Sequence, residues 1–95
     1  MNTMEPLPAP LRPFADEEGR LRQWPVKWSK QRLALEWLVD AFEADRRYTE
    51  KEVNAVLNTH HTFGDWAMLR RLMCDLGLLA RERDGSVYWR VAPQP

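Results

Sequence analysis

The chain has one cysteine, four glycines and a formal net charge of zero, and each scarcity closes off a class of protein. A lone thiol, Cys74, makes no internal disulfide, so the fold owes nothing to an oxidising compartment. The glycines are scattered turn residues, which rules out a glycine-rich phosphate loop. Basic and acidic residues number 14 each, so no overall field draws the molecule to nucleic acid; only a local basic face can. No apolar run approaches the about 20 residues that span a bilayer, and the N-terminus lacks a basic start followed by an apolar stretch. The expectation is a soluble, cytoplasmic protein.

Aromatic residues are what the chain has in quantity. Five Trp, three Phe and two Tyr among 95 residues can supply much of the core that one small domain needs. Pro6, Pro8, Pro10 and Pro13 fix φ and remove amide donors, so residues 1–13 read as a flexible, proline-rich leader. Residues 14–91 form the domain, and residues 92–95 a short tail.

Within the domain, Phe14 to Leu21 suggests a turn about Glu18-Gly19 between two extended pieces that can add a strand. Ser29 is placed to cap a helix over Lys30 to Ala44. There Ala34, Trp37, Leu38, Ala41 and Phe42 repeat as one buried stripe. Thr49-Glu50-Lys51-Glu52 is a capping box, with Tyr48 and Val53 spaced as a hydrophobic staple. A third helix runs from Trp66 to the stop at Gly77, with Trp66, Leu69, Leu72, Met73 and Leu76 inward and Ala67, Arg70, Arg71 and Cys74 outward. Leu78 to Arg81, an Asp84-Gly85 turn and Val87 to Val91 make a β-hairpin. The order helix, helix, hairpin is that of a winged helix-turn-helix, whose second helix lies in a DNA groove. The expected fold is therefore α+β: a small winged helix-turn-helix with three helices and a two- or three-stranded antiparallel wing.

The candidate nucleic-acid contacts follow from that placement. Arg70 and Arg71 sit on the outward face of the third helix, where they can meet phosphate or a guanine edge. Arg81 and Arg83 alternate along the first wing strand. Lys27 and Lys30, with Trp24 and Trp28 interleaved, form a second basic cluster suited to a phosphate backbone, although the tryptophans are more simply read as core. From His60 to Val91 there are five Arg against Asp65, Asp75, Glu82 and Asp84, a slight positive balance. The competing assignment for Arg70 is an ion pair with Asp65, Glu50 or Glu52.

Other chemistry finds little support. His60, His61 and Cys74 lack a compact metal-ligand spacing, and Cys74 falls mid-helix among Met73 and Asp75, not in a cleft beside a base as a nucleophile needs. The expectation is no enzyme, no metal and no cofactor. DNA is the expected partner. A protein-interaction or dimerisation module without nucleic-acid contact is the alternative, and it better explains the neutral charge and abundant tryptophan.

Several runs resemble a known family. They are Phe14-x-Asp16-x-x-Gly19-Arg20-Leu21, Pro25-x-Lys27-x-x-Lys30, and Tyr48-Thr49-Glu50-Lys51-Glu52-Val53-Asn54. With them go Asp65, the Leu69-Arg70-Arg71-Leu72 helix, Gly77-Leu78-Leu79-x-Arg81 and Gly85-x-x-Tyr88-Trp89-Arg90. Together they resemble the bacterial domain of unknown function 2087 over about residues 14–91. The resemblance implies a small winged-helix-like domain, found alone or fused behind a helix-turn-helix domain similar to arsenical-resistance-type repressors. It thereby implies a role in transcriptional regulation, with no catalytic site and no assigned ligand. One departure is that this chain has His61-Thr62-Phe63-Gly64 before Asp65, where members of the family often place acidic residues directly after the loop histidine.

Overall fold

A computed structural model describes residues 5–92. A 3-10 helix, Ala9–Phe14, opens the chain, followed by helix α1 (Trp28–Val39) and strand β1 (Arg47–Tyr48). Helices α2 (Glu50–Asn58) and α3 (Trp66–Asp75) come next, and strands β2 (Leu79–Arg81) and β3 (Tyr88–Arg90) close the domain. The expected α+β class holds. The sheet is three-stranded and antiparallel in the order β1-β3-β2. No helix among the described residues is long and apolar enough to cross a membrane.

Local chemistry explains most boundaries. Thr49 Oγ1 accepts from the Glu52 amide while Glu52 Oε1 accepts from the Thr49 amide, so two orphan donors at the start of α2 are satisfied reciprocally. α3 ends in a Schellman motif: Gly77 takes φ +73°, its amide donates to Cys74 O, and the Leu78 amide donates to Met73 O. α1 begins at Trp28 with Lys27 as its uncapped N-terminal neighbour, so Ser29 lies inside the helix rather than capping it. The helix also stops earlier than its apolar stripe. Asp40, Ala41 and Phe42 donate to Trp37, Leu38 and Val39 in tightened three-residue steps, which turn Phe42 into the core.

The core is one cluster in which Leu35, Leu38, Phe42, Val53, Leu57, Leu69 and Met73 are essentially inaccessible to water. Arg90 fastens β3 to the end of α1 by donating to Phe42 O at 3.1 Å and pairing with Asp40 at 2.9 Å. Tyr48 packs edge-on against Phe42, and its hydroxyl accepts from the Glu43 amide.

Three expectations are corrected. The leader is not free through Pro13: Leu7 and Leu11 are buried, and Trp37 Nε1 donates to Glu5 O at 2.8 Å. Burial of two leucines against α1 outweighs the extended bias of the prolines. Residues 1–4 of that leader, and 93–95 of the expected tail, lie outside the described residues. The third strand comes from Arg47–Tyr48, not from Phe14 to Leu21, which makes only isolated bridges (Ala15 with Leu21, Leu21 with His61). Trp66 is 38% exposed rather than inward, since Leu69 and Met73 fill the buried face of α3.

Candidate nucleic-acid interface

The outward face of α3 and the inner edge of β2 form the two walls of an open groove lined by Ala67, Arg70, Arg71, Cys74, Asp75, Arg81 and Tyr88. The wall on α3 exists because Leu69 and Met73 are pulled fully inward, which turns Ala67, Arg71 and Asp75 to the opposite side. The wall on β2 follows from register. Arg81 pairs with Tyr88, and both line the groove, as directly opposed residues share one face of the sheet. The Arg81 guanidinium reaches towards the turn between β2 and β3, where Nη1 lies 4.0 Å from the position of a Cβ at Gly85.

The three groove arginines differ in their surroundings. Arg70 is spanned between helices: one terminal nitrogen donates to Asn54 Oδ1 and the other pairs with Glu50 Oε1 at 3.1 Å. Glu50 and Asn54 are one turn apart, so a single face of α2 offers both acceptors. With its side chain only 18% exposed, Arg70 is a tie between α2 and α3, as the competing ion-pair assignment anticipated. Arg71 has 84% of its side chain exposed and meets Asp75 only at 3.9 Å. Arg81 has no ion-pair partner among the described residues.

The remaining candidates lie apart from these. β2 ends at Arg81, so Arg83 belongs to the exposed turn between β2 and β3 and not to the strand. That turn is fixed locally: Gly85 takes φ +73° and Asp84 Oδ1 accepts from the Ser86 amide and hydroxyl. These bonds hold the Asp84 carboxyl below its ordinary range. Lys27 is exposed ahead of α1. Lys30 is half-buried, with Nζ 5.4 Å from the centre of the Phe14 ring. Neither lysine lines the groove. Trp24 packs on the core near Phe63, whereas Trp28 is 50% exposed, so the two interleaved tryptophans separate.

The histidines serve the scaffold. His61 is buried; its Nδ1 is 2.6 Å from Leu57 O and its Nε2 accepts from the Asp65 amide at 3.1 Å. One neutral tautomer, protonated on Nδ1, satisfies both bonds and joins the end of α2 to the start of α3. His60 lies edge-on to Trp37, with Nδ1 2.9 Å from Val56 O. Cys74 lines the groove, but burial pushes its thiol up; Asp75 adds to the rise, while Arg81 and Arg70 oppose it. It is a poor nucleophile in this setting. Asn54 is the residue that sequence reasoning missed. Its spacing from Glu50 was the available signal, since an i, i+4 pair of acceptors suits one guanidinium.

The family model described as an uncharacterized protein conserved in bacteria (DUF2087) matches residues 20–90. Neither a curated protein nor a solved structure is matched.

Proposed function

The chain belongs to that bacterial family, and on this premise we propose that it is a DNA-binding module of winged-helix type acting in transcriptional regulation. The element order α1, β1, α2, α3, β2, β3 and the strand order β1-β3-β2 support the reading, because they present α3 beside a hairpin wing. The observation that carries it is the groove itself. Arg71 on the helix and Arg81 on the wing line the same groove, so a DNA strand seated in it meets both cations. Arg83, at the exposed turn, is a further cation outside the groove. Arg70 supports the interface by fixing α3 on α2, and Lys27 and Lys30 are left outside it.

Arg81→Ala and Arg83→Ala test this reading through duplex titrations at several salt concentrations. Each variant should lower the salt slope by about one, act alike on all sequences and leave stability within about 0.5 kcal/mol of the parent. Slopes equal to the parent's in both variants would remove the wing from the interface.

A protein-interaction role is the second reading, favoured by Val26 at 94%, Trp28 at 50% and Trp66 at 38% exposure. Replacing Trp28 by Ser separates the two. Loss of self-association or partner capture with unchanged duplex affinity supports the interaction role.

A further inference from the structure

The exposed residues of α3 are Trp66, Ala67, Arg71 and Asp75. The last three repeat at i, i+4 and i+8 and form one ridge, opposite the buried Leu69 and Met73. Resting on the DNA reading above, we infer that Ala67 and Arg71 read a thymine and a guanine lying within two base pairs of each other in the major groove. No other arginine of α3 shares the task.

Each part follows from geometry. The N-terminal residues of a recognition helix reach base edges, and Ala67 and Arg71 occupy the first two turns of α3. The Ala67 methyl offers no hydrogen bond, and its apolar match in the groove is the thymine C5-methyl. Arg71 presents a free fork for guanine O6 and N7. Arg70 cannot, since Asn54 and Glu50 occupy its terminal nitrogens. Arg81 stands across the groove on the wing, where it meets phosphate and carries no sequence information. Asp75 lies 3.9 Å from Arg71 Nε, one helical turn along the same ridge. It also offsets part of the charge, which suits bidentate reading better than long-range attraction to phosphate. Residues one helical turn apart have Cβ atoms about 5–6 Å apart. Base pairs rise about 3.4 Å. The two contacts therefore fall one or two steps apart.

The test selects duplexes with a randomised core on the full chain at low salt, then titrates the enriched duplexes by fluorescence anisotropy. Thymine and guanine should be enriched within two base pairs. Replacing that thymine by uracil removes only the methyl and should weaken binding about fourfold, the worth of one buried methylene. Arg71→Lys keeps the charge but removes the fork; it should cut the preference for guanine about tenfold and leave the salt slope and melting temperature unchanged. Binding that ignores both bases, or an Arg71→Lys variant with the parent's guanine preference, overturns the base-reading assignment and leaves DNA binding standing. Failure to bind any duplex overturns both.

Discussion

Replacing Arg70 removes two ties between α2 and α3, whereas replacing Arg71 removes none between elements. Arg70→Ala should therefore cost about 1–2 kcal/mol in denaturant unfolding, leaving Glu50 and Asn54 to water. Arg71→Ala should change stability by less than about 0.5 kcal/mol and weaken duplex binding. The opposite pattern, a stable Arg70 variant with normal binding loss confined to it, would reverse the two roles. His61 is a second residue whose work is structural. His61→Ala strands the Leu57 carbonyl and the Asp65 amide and opens a cavity, which should cost about 2–4 kcal/mol. Retention of the parent's unfolding midpoint would show that water replaces the imidazole.

Among the elements, the N-terminal segment is the one whose removal discriminates most. Leu11 is fully buried and Leu7 nearly so, and the Trp37 indole loses its acceptor if Glu5 is absent. Truncation of residues 1–11 should lower the melting temperature sharply, and Leu11→Ala alone should cost about 2–4 kcal/mol. An unchanged transition in the truncated chain would return these residues to the status of a leader. The capping box of α2 gives a pH signature. The Thr49 amide and hydroxyl, and then Arg46, hold the Glu52 carboxyl below its ordinary value of 4.5. The folded value is the lower one, so the box contributes stability above about pH 4.5 and loses it as pH falls through the folded value. The stability difference between the parent and Glu52→Gln should shrink as pH falls below that point. A difference that persists unchanged into strong acid would show that the ion is not what the cap uses.

What was legible at this scale was what is local. Thr49 to Glu52, Gly77 and Asp84-Gly85 set helix starts, a helix stop and a turn through bonds to their own neighbours, so three or four residues carry the information. β1 was not legible, because two residues show no periodicity and pair only through Trp89 and Tyr88 far along the chain. The same holds for the docking of Leu7 and Leu11, where tertiary burial overrides a proline-biased backbone. In the site, the outward placement of Ala67 and Arg71 could be read from helical spacing. The separation of Arg70 from Arg71 could not, since it depends on which face of α2 packs against α3.

For the whole molecule, zero net charge means that any affinity for DNA arises from a few placed cations and not from a general field. Many charges are already paired within the fold: Arg20 with Asp16, Arg32 with Glu36, Arg46 with Glu43 and Glu52, Arg90 with Asp40. Arg71, Arg81 and Arg83 are the ones turned to solvent on and beside the groove. Two or three phosphate contacts correspond to a fall in affinity of roughly 10- to 40-fold between about 50 and 200 mM salt. Fluorescence anisotropy of the full chain against pooled random duplexes at those two salt concentrations reads this quantity directly. DNA binding through the groove predicts a salt-dependent loss of that size; no measurable binding at low salt, or an affinity indifferent to salt, would contradict it.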